Sequence, residues 1–294
     1  MEQKAFKSGF VSIVGKPNVG KSSLMNKLVG ENVSIITSKA QTTRHRIMGI
    51  LNGEDYQIVY SDTPGILEPR YSLHEAMMSY VKVSLEDADV ILLVVELHDK
   101  YDDLFERFQK TETPIVLLIN KVDLAKGSQV EDKVAYWKQS IPNIREIIPV
   151  SAKTGLNVNR ILDVVKAYLP VHPPFFPQDE YTNRTERFFA SEILREKIFV
   201  NYEEEVPYSC EVAINSFKDE PDIIRISAEI YVERDTQKGI VIGKGGTSLK
   251  KVGTEARKDM EAFFGKKIFL ETHVKVAGNW RKEKNRLRQF GYFE

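Results

Sequence analysis

Four residues near the start of the sequence have the types and the spacing of a loop that binds phosphate groups. Gly15, Gly20, Lys21 and Ser22 match the pattern G-x-x-x-x-G-K-[ST], between an apolar run and a predicted helix. Glycine has no Cβ, so the backbone N–H groups of such a loop can converge on phosphate oxygens. In this chemistry the Lys21 ammonium contacts the β and γ phosphates, and the Ser22 hydroxyl binds Mg²⁺. The free amides and the dipole at the start of the helix strengthen the attraction.

A second segment with suitable chemistry is DTPG, which comprises Asp62, Thr63, Pro64 and Gly65 and follows the predicted strand YQIVYS. The Asp62 carboxylate can hold Mg²⁺ through a water molecule, and Gly65 can turn its N–H toward a γ phosphate. Because D-x-x-G also occurs as an ordinary turn, the segment indicates a nucleotide site only together with the first loop.

Two further segments indicate which base the site recognises. The residues concerned are Asn120, Lys121 and Asp123 in NKVD, and Ser151, Ala152 and Lys153 in SAK. Both segments follow predicted strands, at the carboxyl ends where open α/β sheets bind ligands. The Asp123 carboxylate can accept hydrogen bonds from N1–H and the exocyclic amine of guanine. Adenine would leave that charge unpaired, at a cost of a few kcal/mol, so the pattern predicts GTP and GDP as ligands.

The other residues of these two segments have supporting roles in this prediction. Asn120 is expected to brace the loops, Lys121 to lay its aliphatic stem along the purine, and the Ala152 amide to donate to guanine O6.

The four segments require strands that end at the same edge of one sheet, and the sequence supplies them. Five runs rich in Val and Ile are nearly continuous instead of alternating: GFVSIVG, YQIVYSD, DVILLVVE, PIVLLIN and EIIPVSA. Such runs are typical of strands buried on both faces, hence of a mainly parallel sheet flanked by helices. Crossover helices are predicted over residues 22–30, 72–87, 103–110, 128–140 and 158–168. We therefore predict an α/β, doubly wound fold for this part of the chain.

A proline-rich stretch, LPVHPPFFPQDEYT, then interrupts the alternation. It carries Pro170, Pro173, Pro174 and Pro177, which neither a helix interior nor a central strand accepts. We predict an α/β domain over residues 1–172, an extended linker over 173–182 and a second domain over 183–294.

The second domain has a different order of elements. A helix is predicted at 185–199, and strands are predicted at 208–217, 223–233 and 267–276. Elements in runs of this kind indicate an α+β domain with an antiparallel sheet.

The sequence GKGG lies between two predicted helices of this second domain. On its own this sequence is weak evidence for a functional loop, because it is also compatible with an ordinary turn. With the Ile-rich stretch before it, the basic helix after it and the two earlier strands, it resembles the GxxG loop of a type II KH domain, which clamps single-stranded RNA. The groove beside Ile240 and Ile242 can receive about four unstacked bases. The predicted RNA-binding residues are Gly243, Lys244, Gly245, Gly246, Lys250 and Lys251.

Charge is distributed unevenly along the chain. Residues 234–294 carry 15 Lys and Arg against 7 Asp and Glu, whereas the first 233 residues carry 27 against 35. The basic part indicates a surface for polyanions or, alternatively, a solvated basic helix face. In the same region Trp280, Leu287 and Phe290 can either stack on bases or pack a terminal helix against its sheet; packing is the commoner role.

Composition limits the remaining classes. A chain of 294 residues with 42% apolar and 29% charged residues is sufficient for two ordinary folded domains. Its longest aliphatic run, Val90–Val95, is far shorter than the roughly 20 residues of a membrane-spanning helix, and we expect no secretory leader. Cys210 is the single cysteine, which excludes an intrachain disulfide and favours a reducing cytoplasm.

Taken in order, the four nucleotide segments resemble the translation-factor-related branch of the GTPase superfamily. With KAQTTRHR at residues 39–46 and the KH-like domain, essentially the whole chain resembles the Era family of bacterial GTPases. The resemblance implies Mg²⁺-dependent hydrolysis of GTP, with Lys21, Thr43 and Gly65 as catalytic residues. It also implies binding to the 3′ region of 16S ribosomal RNA and a role in assembly of the small ribosomal subunit.

The same resemblance implies two switch segments, around residues 31–45 and 62–85, that GTP orders. In the first, Thr43 is assigned to Mg²⁺, with Thr42 as the adjacent alternative, and His45 is expected to be a solvated loop residue. The family resemblance further implies a cytoplasmic protein with peripheral contact at the inner face of the cell membrane.

Two residues bear on the rate of hydrolysis. Ile66 stands where Ras-like GTPases have a glutamine that orients the attacking water, so slow intrinsic hydrolysis is expected. Asn18 occupies the loop position that, in similar GTPases, accompanies a bound K⁺; a loop asparagine also supports a turn on its own.

The predicted site is therefore extensive. The GTP-binding residues are Gly15, Lys16, Pro17, Asn18, Val19, Gly20, Lys21, Ser22, Asp62, Thr63, Pro64, Gly65, Asn120, Lys121, Asp123, Ser151, Ala152 and Lys153. The Mg²⁺ residues are Ser22, Thr43 and Asp62, and the K⁺ residue is Asn18. One alternative is a GTPase that uses its basic domain to dock on a membrane or a protein. Another, an ATP-using kinase, is disfavoured by Asp123.

Overall fold

The computed structural model describes residues 5–293, which divide into two compact units. The first unit takes in the chain through Pro69 and then Met77–Asn183, and the second takes in Arg70–Ala76 and the chain from Arg184 onward. Residues 1–4 and 294, at the ends of the two predicted domains, lie outside the described part. The division at residues 172 and 182 stays a prediction.

The described residues of the first unit form a six-stranded sheet. Its strands are β1 (Lys7–Gly15), β2 (Ile47–Asn52), β3 (Tyr56–Asp62), β4 (Val90–Glu96), β5 (Ile115–Asn120) and β6 (Ile144–Pro149), in the order β2-β3-β1-β4-β5-β6. Every neighbouring pair is parallel except β2 and β3. The predicted mainly parallel sheet is confirmed, and β4 and β5 are buried throughout except Glu96, as their continuous apolar runs require.

Strand β2 is the element that the sequence pattern missed. It lies at the edge of the sheet and contains Gly49. A Cβ on Gly49 would lie 2.8 Å from both Met25 Cε and Val29 Cγ2, so the glycine lets a helix pack closely on this strand. A short edge strand interrupted by glycine gives little periodic signal.

Helices cover the sheet. They are α1 (Lys21–Val29), α2 (Ser72–Glu86), α3 (Gln129–Ser140) and α4 (Val158–Tyr168). The predicted helix at 103–110 is a 3₁₀ helix, Asp103–Gln109, which Asp102 caps by accepting from the Leu104 N–H at 3.2 Å. Its Phe105 and Phe108 are buried in the core, so packing fixes this short segment.

The proline-rich segment, residues 170–183, follows the edge of the sheet. The Ile50 N–H donates to the Tyr181 carbonyl at 2.8 Å, and the Thr182 hydroxyl donates to the Met48 carbonyl at 2.7 Å. The buried Gln57 amide also accepts from the N–H groups of Phe175 and Phe176 at 2.7 and 2.9 Å. These hydrogen bonds attach the segment to β2 and β3.

The second unit has the order helix–strand–strand–helix–helix–strand that a type II KH domain has, with short helices added. Its elements are α5 (Glu186–Asn201), α6 (Val206–Ser209), β7 (Glu211–Asp219), β8 (Ile223–Val232), α7 (Asp235–Ile242), α8 (Thr247–Phe264), β9 (Lys267–Val276) and α9 (Lys284–Gln289). The sheet order is β7-β8-β9. The expected antiparallel sheet is only half right: β7 and β8 are antiparallel, but β9 is parallel to β8 because the α7–α8 crossover returns the chain in the same direction.

Candidate nucleotide-binding site and RNA-binding loop

The predicted phosphate loop joins β1 to α1, and its glycines are sterically required. Gly15 and Gly20 have φ angles of 154° and 96°. A Cβ on Gly15 would lie 2.2 Å from the Val94 carbonyl oxygen, and one on Gly20 would lie 2.3 Å from Asn120 Nδ2. A larger residue at either position would therefore displace the loop from the neighbouring strand ends.

Lys21 begins α1 and is buried, with 5% of its surface exposed. Its ammonium donates to the carbonyls of Gly15 and Lys16 at 3.2 and 2.9 Å. Burial lowers the pKa of Lys21 to about 8, and the negative charge of Asp62 opposes that change. The loop thus holds a cation that is poorly solvated, which is the environment in which phosphate oxygens bind it strongly.

Three side chains that carry oxygen atoms lie close together next to Lys21. The Ser22 hydroxyl donates to Asp62 Oδ2 at 2.6 Å, and its oxygen lies 2.9 Å from Thr43 Oγ1. The hydroxyl of Thr42 is not part of this group, because it donates to the Lys39 carbonyl at 2.7 Å. The sequence alone had left both threonines open; the geometry brings Thr43 to the other two.

This cluster has the donor set that Mg²⁺ prefers. Asp62 is fully buried, and within residues 5–293 its Oδ1 has no hydrogen-bond partner. Burial raises the pKa of Asp62, while the Ser22 hydroxyl, the Lys21 ammonium and the Ser34 hydroxyl oppose that rise. Two hydroxyl oxygens and a carboxylate with an unsatisfied oxygen suit a hard divalent cation.

The base side of the site is built around Asn120, at the end of β5. Its Nδ2 donates to the Val19 carbonyl at 2.8 Å, and its Oδ1 accepts from the Ala152 N–H at 3.0 Å. The predicted bracing role of Asn120 therefore matches its contacts. The Ala152 amide, expected to face guanine O6, is engaged by Asn120 in this structure.

Asp123 and Lys121 line a cavity of about 750 Å³. Asp123 Oδ1 accepts from the Ser151 hydroxyl at 2.7 Å, and Lys121 donates to the Asn18 carbonyl at 2.8 Å and pairs with Glu96. The loops that carry the base-recognition residues are thereby tied to the phosphate loop.

Several wall residues of the site were not predicted. On the base side they are Ser23, Asn26, Lys27, Gly30, Glu31, Asn32, Ile36 and Leu124, and on the phosphate side Ser23, Ile35, Ile36, Thr37, Ser38, Gln41 and Glu96. Ile36 lines both parts and is 46% exposed. An isolated aliphatic residue in a loop has no sequence signal that separates such a wall from ordinary core.

The DTPG segment approaches the phosphate loop closely. A Cβ on Gly65 would lie 2.6 Å from the Pro17 nitrogen, and the Ile66 N–H donates to the Gly15 carbonyl at 3.0 Å. The Ile66 side chain is buried in the apolar core, and the Thr63 hydroxyl donates to the Ile13 carbonyl within the sheet. Neither side chain faces the phosphate region.

One prediction for the first switch segment is wrong. His45 was expected to be solvated, but it is 8% exposed and its ring lies 5.9 Å from that of Tyr80. Its neighbours Arg44 and Arg46 are also buried, and Arg46 donates to Ser61 at 2.9 Å. The residue types of this segment are charged and polar, which predicts exposure, so its burial could not be predicted from the sequence.

The GKGG sequence forms a tight loop between α7 and α8. Gly243, Gly245 and Gly246 have φ angles of 73°, 61° and 78°, and a Cβ on Gly243 would lie 2.2 Å from Ser248 Oγ. Lys244 is exposed, as are the predicted residues Lys250 and Lys251 in the first turns of α8. The loop therefore presents bare backbone and positive charge to solvent.

The C-terminal aromatic residues pack instead of standing free. Trp280 and Leu287 are fully buried, and the Trp280 indole donates to the Ser209 carbonyl at 2.9 Å. Phe290 contacts the Trp280 ring edge-on, with centroids 5.5 Å apart. The packing alternative is the one that the structure supports.

The first unit combines a phosphate-binding loop, a hydroxyl–carboxylate cluster and base-recognition loops on a mainly parallel sheet. The second unit has a GxxG loop. These features define a P-loop GTPase that carries a KH domain. Family models agree: "50S ribosome-binding GTPase" matches residues 10–121, and "KH domain" matches residues 205–281. The GTPase Era of Staphylococcus haemolyticus (strain JCSC1435) is 43% identical over 293 residues, which is 98% of each chain. The chain belongs to the Era family of GTPases.

Solved structures of that family match over nearly the whole chain. One is Era in complex with MgGDPNP and nucleotides 1506–1542 of 16S ribosomal RNA, and another is a variant of Aquifex aeolicus Era bound to GDP·AlF4⁻. Each is 39% identical, has a TM-score of 0.94, and covers 98% of this chain and 100% of its own. Within the described residues, none of the helices has the length and apolarity needed to cross a bilayer.

Proposed function

We propose that this chain is a GTP-hydrolysing switch that binds the 3′ region of 16S ribosomal RNA through its KH domain and assists small-subunit assembly. The observation that carries the proposal is an exposed GxxG loop with Lys244 on the same chain as a guanine-nucleotide site. The family member solved with MgGDPNP and a 16S fragment supports it.

In the proposed site, Lys21 neutralises the β and γ phosphates, and Gly65 donates its N–H to the γ phosphate. Ser22 and Thr43 would hold Mg²⁺ directly and Asp62 would hold it through water. When bound, this ion would offset negative charge on the phosphate oxygens. Ile66 has no polar atom and is buried, so water must be oriented by other groups and intrinsic hydrolysis is slow.

We also propose a K⁺ ion beside Asn18. The position of Asn18 in the loop supports it, although its amide donates to the Ser38 carbonyl at 3.2 Å in this structure. A K⁺ there would supply positive charge that an arginine supplies in other GTPases. The test is turnover in KCl against NaCl at equal ionic strength; equal rates would exclude the ion.

The proposal that this chain binds RNA depends on the accessible backbone of the GKGG loop. Gly245 and Gly246 have open space where a Cβ would stand, so a sugar-phosphate chain can approach the loop. Ile240 is 51% exposed beside the loop, and Lys250 and Lys251 add charge on α8. These features would provide an apolar surface for bases and cations for phosphates.

The test is binding of a short single-stranded RNA from the 16S 3′ end, measured with GTP and with GDP. Replacing Lys244 and Gly245 with Asp should abolish RNA binding and leave GTP turnover intact. Lys267→Asp also reverses a lysine charge, at the start of β9, and serves as the control. RNA binding by the double variant at wild-type affinity would contradict the KH assignment.

A second candidate is a GTPase of the cytoplasm that contacts the inner face of the membrane, or a protein partner, through its basic C-terminal region. The excess of Lys and Arg in residues 234–294 favours it. Sedimentation with anionic vesicles in place of RNA distinguishes the two: vesicle binding without RNA binding supports this candidate.

A further inference from the structure

Ser34, in the first switch segment, is held by a side chain of the helix that follows the phosphate loop. Asn26 Nδ2 donates to the Ser34 carbonyl at 2.8 Å, and Asn26 Oδ1 accepts from the Ser34 N–H at 3.0 Å. Asn26 lies one helical turn after Ser22 on α1, so the two point from the same face of the helix. This reciprocal pair of hydrogen bonds fixes the backbone of residue 34 relative to the cluster of Ser22, Thr43 and Asp62.

The hydroxyl of Ser34 is buried beside that cluster. Ser34 is 6% exposed, and its Oγ is without a hydrogen-bond partner in the described chain. The same is true of Asp62 Oδ1. Both groups are tied to the start of α1: Ser34 is held by Asn26, and Asp62 is held by Ser22, one helical turn earlier.

One of these groups is a donor and the other is an acceptor. Buried polar atoms in proteins nearly always have partners, and two complementary atoms left unsatisfied at one site indicate a bond that forms in another state of the site. Asp62 Oδ2 is already engaged by Ser22, so Oδ1 is the oxygen that remains for Ser34.

We propose that Ser34 is a positioning residue for Asp62: its hydroxyl donates to Oδ1 when Mg²⁺ and nucleotide bind and so keeps Oδ2 hydrogen-bonded to Ser22. Asn26 acts through Ser34 by fixing its backbone. The proposal rests on the proposed Mg²⁺ site and adds two residues to it. Groups that orient a metal-binding carboxylate typically alter metal affinity 10- to 100-fold when removed.

The chain offers a matched control. Ser8 is also a buried serine, and within residues 5–293 its Oγ likewise has no hydrogen-bond partner. It lies near the start of β1, whereas the phosphate loop follows the other end of that strand. Ser8→Ala therefore makes the same chemical change at another buried position, away from the nucleotide.

The experiment measures release of a fluorescent GDP analogue as a function of Mg²⁺ concentration, together with urea unfolding of each variant. Ser34→Ala should raise the Mg²⁺ concentration for half-maximal retention about 10-fold, while release in EDTA stays at the wild-type rate. Ser8→Ala should leave the Mg²⁺ midpoint unchanged. Asn26→Ala should shift it in the same direction as Ser34→Ala.

Two outcomes overturn the proposal while leaving the proposed Mg²⁺ site in place. One is a Ser34→Ala protein with the wild-type Mg²⁺ midpoint; the other is a shift that Ser8→Ala reproduces, which would assign the effect to loss of a buried hydroxyl in general. If the wild-type protein retains nucleotide independently of Mg²⁺, the Mg²⁺ site itself fails, and the Ser34 proposal fails with it. Should Asn26→Ala unfold, the two serine variants decide the question alone.

Discussion

The Ser151 hydroxyl donates a 2.7 Å hydrogen bond to Oδ1 of Asp123, 28 positions earlier in the chain. The two residues belong to separate loops, after β6 and after β5. The bond fixes the carboxylate at the cavity wall before a base arrives. Recognition by a rigid carboxylate excludes bases that lack the matching donors, because the charge would otherwise stay unpaired.

Exchange of Asp123 for Asn should change base preference. The amide keeps the shape but replaces one acceptor oxygen by a donor, so GTP affinity should fall about 100-fold and affinity for xanthosine triphosphate should rise. Dissociation constants for both nucleotides test this. Asp132→Asn, on the exposed face of α3, serves as the control. An Asp123→Asn protein with unchanged preference would argue against base recognition by this residue.

Loss of the supporting hydroxyl should have a smaller effect. Ser151→Ala removes one hydrogen bond to a charged group, which corresponds to about 1.5 kcal/mol or about 10-fold in GTP affinity. The preference for GTP over xanthosine triphosphate should persist, since Asp123 is retained. If affinity is unaffected, the carboxylate is oriented well enough by its backbone alone.

The buried ammonium of Lys21 should make the nucleotide-free protein less stable at neutral pH. Its pKa is lowered from 10.5 to about 8, so the folded state binds fewer protons than the unfolded state between those values, and stability rises with pH across that window. Below pH 8 the full penalty, about 3 kcal/mol, is present. Lys21→Met should therefore raise the free energy of unfolding at pH 7 while abolishing GTP binding.

Urea unfolding without nucleotide at pH 7 and pH 9.5 measures this effect. The advantage of Lys21→Met over wild type should shrink at the higher pH, where the lysine becomes neutral in the folded state. An advantage that does not change with pH would mean that the methionine acts through packing.

Substitution of the two adjacent threonines should have different effects on the Mg²⁺ requirement for GTP hydrolysis. Thr43 lies 2.9 Å from Ser22 Oγ, whereas Thr42 donates to the Lys39 carbonyl. Thr43→Ala should raise the Mg²⁺ requirement for GTP hydrolysis by at least 10-fold, and Thr42→Ala should have a smaller effect. Mg²⁺ titrations of turnover at saturating GTP provide the measurement; the reverse order would assign the metal to Thr42.

The nucleotide site could be predicted from sequence because each of its segments is contiguous and has a fixed order. The parallel sheet could be predicted because β4 and β5 are apolar throughout. Contacts between segments that are separated in the sequence could not be predicted in this way. The burial of His45 and the pairing of Asn26 with Ser34 depend on tertiary packing, which residue type does not reveal. The parallel placement of β9 depends on the crossover connection, which local pattern does not specify either.

Strand β2 is the last strand on one side of the sheet, and the backbone of residues 181 and 182 covers part of its outer edge. An uncovered edge offers its amides and carbonyls to any other extended chain, so it promotes aggregation. A fragment of this protein that stops at residue 172 should self-associate, whereas one that continues to Asn183 should stay monomeric. Light scattering of the two fragments at equal concentration would reveal the difference. We therefore expect the backbone of residues 181 and 182 to keep the GTPase unit from polymerising through its own sheet.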